Sequence, residues 1–324
     1  MAPWPEIVER FPLTIERVLQ QYTRIPADAT EIFYHYTDHA GLAGILKEGG
    51  LRAKYRKNMN DAGEFEYAKN VIYESLEEFA KHSNLPIKPV QSFTTYTRKN
   101  LDLFLDPTTE KSSSYCACLS VSPDNAEQWD GYGEQGKGFA IGFDLNAILN
   151  TQIPAVLNGK PYIYCAPVCY NQSDQHNLVW QLLEAGISDV QTFAFTVSQK
   201  PEHITALRDR VTQEIIVHLL TLINFIKSPD YSSEREMRLM LNAIDGILKS
   251  QEIQYFDRDN ESIPYIFFDL RNPKTGRLPL SEIKIGPKAS FSEGKIFIDK
   301  MLDDMGYGKD YDDRPRIVHS SLAE

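Results

Sequence analysis

Apolar positions near the start of the chain recur at helical spacing. Ile7, Val8, Phe11, Ile15, Val18 and Leu19 share one stripe, and Pro12 is placed to break it. One or two helices are therefore expected over 4–21, within an N-terminal helical extension over 1–30. Ile32-Phe33-Tyr34-His35-Tyr36-Thr37 is β-branched and aromatic and too short for a helix, which predicts a strand. Asp38 can cap the next helix, where Leu42, Ile45 and Leu46 form the apolar stripe and Gly49-Gly50 ends it. A short strand over 51–53 leads into a basic run, and 62–81 returns to the helical period. Residues 86–113, with Pro86, Pro89, Pro107 and a run of serines, are expected to form a loop-rich excursion.

Further on, the pattern gives a strand over 115–121, a helix over 124–129, a Gly-rich turn and a strand over 139–143. Another strand is expected over 162–170. Residues 174–227 are mostly helical, with a broad apolar face at Ile215, Ile216, Leu219, Leu220, Leu222 and Ile223. Strands over 235–243, 263–270 and 280–286, a helix over 291–305 and a strand near Ile317 complete the chain. Strands fall in groups separated by helices without regular alternation, which favours an α+β fold over a doubly wound parallel sheet. Residues 31–324 are expected to form a single domain, with the stretch around 174–227 as a helical insertion.

Composition narrows the function classes. The chain has 324 residues with 34 Lys plus Arg against 45 Asp plus Glu, for a net charge of −11. Such a surface repels phosphate, so general coating of nucleic acid or membrane is disfavoured, although one local basic patch remains open. Arg52, Lys54, Arg56 and Lys57 are that patch, which is ordinarily solvated surface but would attract a phosphate beside a cleft. No apolar run reaches the about 20 residues of a membrane span. The charged, Pro-containing start does not resemble a signal peptide. A cytoplasmic location is the expectation.

Several motifs carry possible chemistry. Gly131-Tyr132-Gly133-Glu134-Gln135-Gly136 matches G-x-G-x-x-G by letter, but it follows a helix and precedes a strand, the reverse of a dinucleotide loop. Cys116, Cys118, Cys165 and Cys169 lie inside predicted strands at spacings unlike a zinc knuckle, so no metal is expected. In Glu234-Arg235-Glu236-Met237-Arg238, a strand period places Glu234, Glu236 and Arg238 on one face. Two carboxylates about 7 Å apart repel unless a cation lies near, and Arg238 is one candidate. The face is either a solvated strand with an internal ion pair or the wall of a polar cleft. Removing one of the two like charges is expected to leave folding little changed. His35 and Thr37 share the polar face of the first strand, although a strand histidine is more often a satisfied core residue. Trp129 and Tyr132, three apart, would share a helix face, where core packing is the commoner role. Asn60-Asp61 with Glu64 offers possible metal oxygens, though such residues more often cap a helix.

Taken in order, these segments resemble a bacterial family of unknown function over residues 31 to about 320. The resemblance rests on Tyr34-His35-Tyr36-Thr37, Gly50-Leu51-Arg52, Asn60-Asp61 with Glu64, Cys118-Leu119-Ser120, and Trp129-x-x-Tyr132. It continues through Gly138-Phe139-Ala140-Ile141-Gly142-Phe143-Asp144, Phe225-x-Lys227, Glu234-x-Glu236-x-Arg238 and Ile285-Gly286-Pro287. That family looks more distantly like the ADP-ribosyltransferase superfamily. The likeness lies in a His-bearing first strand, a strand ending in Ser and a late Glu-x-Glu strand. It implies two small packed sheets with helical additions and a cleft that takes NAD as substrate. On that likeness His35 and Thr37 bind the ribose and nicotinamide side, Ser120 orders the cleft, and Tyr132, with Trp129 nearby, meets the nicotinamide. Glu236 is then the catalytic carboxylate, Glu234 faces the acceptor, and Arg238 orients Glu236 or pairs below it. The acceptor is a protein, a nucleic acid reached through the basic patch, or a small molecule, as in a toxin or phage-defence effector. NAD glycohydrolysis and a non-catalytic binding module are the alternatives.

Overall fold

The computed structural model describes residues 6–15, 17–18, 32–56, 62–84, 87–105, 112–144, 156–157, 160–161, 163–244, 253–258, 261–308 and 314–323. Lys57, Asn60, Asp61 and most of the expected N-terminal extension lie outside them. The strands are β1 (Ile32–Thr37), β2 (Gly50–Tyr55), β3 (Ser112–Ser120), β4 (Phe139–Asp144), β5 (Val156–Leu157), β6 (Lys160–Pro161), β7 (Ile163–Pro167), β8 (Glu236–Ile244), β9 (Gln254–Arg258), β10 (Glu261–Asp269), β11 (Leu280–Ile285) and β12 (Arg316–His319). The helices are α1 (Glu6–Glu9), α2 (His39–Glu48), α3 (Ala62–His82), α4 (Ile87–Leu105), α5 (Ala126–Gly131), α6 (Gln172–Thr196), α7 (Pro201–Leu222) and α8 (Phe291–Asp304).

The class is α+β. Among the described residues ten strands form one sheet, β5 and β6 form a separate ribbon, and every strand pairing except β11–β12 is antiparallel. The two small sheets expected from sequence are thus hydrogen-bonded into one through β3. That strand is the pivot. On one side it pairs with β8 along its whole length, from Ser112 opposite Ile244 to Ser120 opposite Glu236. On its other side two strands share it: β1 meets it at Ser120, and β2 meets it at Tyr115 and Cys116. From there β1 continues into β4, β11 and β12, whereas β2 continues into β10 and β9. The sheet therefore forks, and Ala117–Leu119 form the floor of the gap between β1 and β2.

Two apolar cores flank this arrangement. One face of the sheet buries Phe33, Leu119, Ile141, Leu239 and Ile283 with Leu46 of α2 and Leu302 of α8. The second core joins α3, α4, α6 and α7 through Ile72, Phe93, Leu183 and Ile215. The helical layer thus uses two stretches of chain, not just the one around 174–227. Helix α4 occupies Ile87–Leu105 of the loop expected over 86–113. Pro89 falls in its first turn, where an N–H has no intrahelical acceptor, so the proline costs little there. Asp38 caps α2 through Gly41 N at 2.7 Å, and Gly49 closes it at φ 82°. No helix among the described residues is long and apolar enough to cross a membrane.

Candidate functional site

The fork opens as a cavity of about 130 Å³ lined by Tyr34, His35 and Tyr36 of β1, Arg52 and Lys54 of β2, Cys116–Leu119 of β3, Gln128, Tyr132, Glu234 and Glu236. That volume is below the roughly 300–1,000 Å³ of pockets that enclose a whole drug-sized ligand. It is suited to one end of a larger ligand, with the remainder along its open side. Two larger hollows, of about 490 and 510 Å³, include Thr14 with Glu184 and Asp130 with Lys288 in their walls, and neither wall brings two carboxylates together.

Glu236 begins β8 opposite Ser120 and lies 6% exposed at the cavity floor. The Arg238 guanidinium, fully enclosed, grips it with Nε to Oε1 at 2.8 Å and Nη2 to Oε2 at 2.9 Å. Arg238 is in turn held by Glu64 of α3 at 2.6 and 3.0 Å and donates to the Asn224 carbonyl. Burial pushes the Glu236 carboxyl up, but Arg238, Lys227 and a Cys118 thiol hydrogen bond outweigh it and hold the group below its ordinary value. Glu236 is therefore anionic in a nearly dry site. Its amide donates to Tyr170 Oη at 3.1 Å, which pins the start of the strand.

Glu234 behaves differently. The expected strand period stops before it, because Arg235 adopts φ 46° and Glu234 closes a short 3-10 turn over Pro229–Glu234. It still reaches the cavity, because Lys227 hydrogen-bonds it while lying 3.7 Å from Glu236 and 3.8 Å from Glu64. Burial raises the Glu234 carboxyl, and Lys227 only partly offsets this. Two neighbouring carboxylates thus have affinities for protons pushed in opposite directions, a common arrangement where one holds charge and the other moves a proton.

Across the gap, His35 Nδ1 lies 2.9 Å from the Cys118 carbonyl, so Nδ1 carries the hydrogen and Nε2 is the acceptor. Burial lowers this imidazole below its ordinary value, so it is neutral. Tyr132 ends α5 and is 46% exposed at the mouth, and partial burial raises its phenol. Asn125 caps that helix through Glu127 N at 2.9 Å.

The cavity wall therefore brings His35, Tyr132, Glu234 and Glu236 together. Four other expected site residues lie outside it. Trp129 is 2% exposed, stacks edge-on against Tyr36 and donates to Asp124 at 3.1 Å, so it is a core residue. Thr37 lies against the first turn of α2, where a Cβ on Gly41 would come within 1.9 Å of its hydroxyl. Ser120 bridges the Glu234 carbonyl at 2.9 Å and the Ser122 amide at 3.1 Å, holding the loop before β8. Arg238 acts only through Glu236. The basic patch is also altered, because Arg56 turns inward to the Ile223 carbonyl at 2.9 Å. The glycine motif is steric: a Cβ on Gly133 would sit 2.5 Å from the Trp129 ring. Cys116 and Cys165 face opposite sides of the sheet, in different apolar clusters.

Sequence reasoning gave no role to Lys227 and treated Glu64 as a helix cap or metal oxygen. The signal available was the Phe225-x-Lys227 motif a few residues before two carboxylates that needed a counter-charge. No curated protein and no solved structure matches the chain. Residues 128–239, which run from Gln128 at the cavity through Tyr132, Lys227 and Glu234 to the strand carrying Glu236 and Arg238, match the family described as "Protein of unknown function (DUF2971)".

Proposed function

We propose that the protein cleaves the nicotinamide–ribose bond of NAD and transfers ADP-ribose to an acceptor. The observation that carries this reading is Glu236, clamped as an anion at the floor of a forked sheet, with a neutral histidine and an exposed tyrosine on the same cavity. As the C–N bond breaks, nicotinamide leaves with the bonding electron pair and positive charge develops on the ribose. A preorganised carboxylate in a dry site stabilises that charge strongly. Arg238 takes one lone pair on each Glu236 oxygen, and a carboxylate has about four such sites, so acceptor capacity remains for a sugar hydroxyl. His35 Nε2 accepts a second sugar hydroxyl, and Tyr132 offers a ring face to the leaving base. The incoming nucleophile bonds to the anomeric carbon and gives its proton to Glu234, whose raised affinity suits a base.

Incubation of the full chain with labelled NAD and cell lysate tests this. Free nicotinamide and a labelled acceptor are expected. Glu236→Gln should lower nicotinamide release by about a hundredfold or more, the loss of roughly 3 kcal/mol at the transition state. Glu234→Gln, at a less buried site, should depress acceptor labelling more than release to water. Release without a labelled acceptor would make the protein a hydrolase; no release from wild type or variants would leave a binding module.

A further inference from the structure

The cavity is electrically polarised. Strand β2 alternates Leu51 and Ala53 into the apolar core with Arg52 and Lys54 on the cavity wall. Arg52 is held in place on two sides. Glu48 accepts from its Nε at 3.1 Å and from its Nη2, while its Cζ lies 5.2 Å from the Tyr265 ring centre and 5.5 Å from that of Phe256. The Glu48 pair uses the Nε–Nη2 edge, so the Nη1 edge is not committed to it. Lys54 Nζ lies 6.0 Å from the same Phe256 ring, and its charge helps to keep His35 neutral across the gap. Glu236 lies across β3 from β2 and farther along it, opposite Ser120, whereas Lys54 pairs with Cys116. A ligand that matches this lining is anionic at one end and cationic at the other.

We infer that Arg52 and Lys54 form a diphosphate subsite, so that a pyridinium dinucleotide lies with its phosphates on β2 and its cationic ring toward Glu236. This rests on the NAD reading for the identity of the ligand, but the subsite has its own residues and its own test. A planar guanidinium fixed by two rings is suited to forked hydrogen bonding to phosphate, and the flexible ammonium adds a point charge. A long nucleic acid is disfavoured. The chain carries −11 overall, and with Arg56 turned inward the described residues of the patch leave two side chains, Arg52 and Lys54, on the cavity wall.

The test compares NAD with nicotinamide riboside, which has the same scissile bond and no phosphate. In Lys54→Gln and Arg52→Gln, KM for NAD should rise about tenfold each, equivalent to about 1.4 kcal/mol, with a smaller change in kcat. KM for nicotinamide riboside should stay within about twofold. Equal effects on both substrates would overturn the subsite while leaving the cleavage reading intact. If the wild type cleaves neither, titration with inorganic pyrophosphate decides. Binding that weakens in both variants supports the subsite although the NAD reading has failed, and no binding overturns it. Loss of affinity for a single-stranded oligonucleotide with unchanged pyrophosphate binding would also overturn it.

Discussion

Arg238 has both edges of its guanidinium committed, one to Glu236 on its own strand and one to Glu64 on α3. This changes the expectation for Glu236→Gln. Relief of repulsion with Glu234 is outweighed, because Lys227 already lies between the carboxylates and Arg238 would lose an anionic partner in a buried site. Glu64 is the cleaner probe, because it does not line the cavity. Glu64→Gln is expected to cost about 3 kcal/mol of stability, since Arg238 keeps Glu236 but one of the anions that balance the buried Arg238 and Lys227 charges is lost. Among the molecules that remain folded, kcat for NAD cleavage should fall about tenfold with KM nearly unchanged, as Arg238, still paired with Glu236 but no longer anchored to α3, holds that carboxylate less rigidly. Denaturant titration and steady-state kinetics on the same sample check both parts. An unchanged kcat would reduce Glu64 to a structural partner.

At the scale of elements, α5 and the turn after it position Tyr132. The chain leaves α5 through Gly133, passes through Glu134, Gln135 and Gly136 at φ 52°, 54° and 88°, and enters β4 beside the end of β1. Gly138 lies so close to that end that a Cβ would meet the Thr37 carbonyl at 2.3 Å, whereas Gly131 faces open space. Gly138→Ala should therefore destabilise by about 1–3 kcal/mol, the usual cost of overpacking. Gly131→Ala should be neutral or slightly stabilising, because alanine favours the helix. Thermal melts of the two variants separate a packing role from a phosphate-loop role, in which both glycines would matter for ligand affinity more than for folding.

For the molecule as a whole, the buried charges couple folding to acidity. His35 has a folded affinity for protons below its ordinary value of 6.5, so as pH falls through 6.5 the unfolded chain takes up the proton first and stability declines. Glu236 is depressed below 4.5, so its contribution is present above 4.5 and is lost as pH falls further toward the folded value. Melting temperature should therefore decline in two acid steps. His35→Gln should remove the upper step and Glu236→Gln should reduce the lower. Asp124, Asp269 and Asp299, also held below their ordinary value by hydrogen bonds, share that lower step. Thermal denaturation between pH 7 and pH 3 follows both. Much of the framework was legible in the chain because its causes are local. The alternation in Tyr34-His35-Tyr36, the Asp38 cap and the Gly49 stop each act within a few residues and define β1 and α2. Pro89 misled because the same residue ends a helix in mid-course and is tolerated in a first turn, and sequence spacing did not distinguish these. The candidate site was legible in its residue types and not in its partnerships. Sequence placed Glu236 and Arg238 on one face, but strand period does not extend to Glu64, 174 positions from Arg238, or to the division of β3 between β1 and β2. Those depend on which strands pair in which register and on which cations must enter the interior to neutralise buried carboxylates. Both are settled by packing across the whole molecule, where burying an unpaired charge costs more than any local preference supplies.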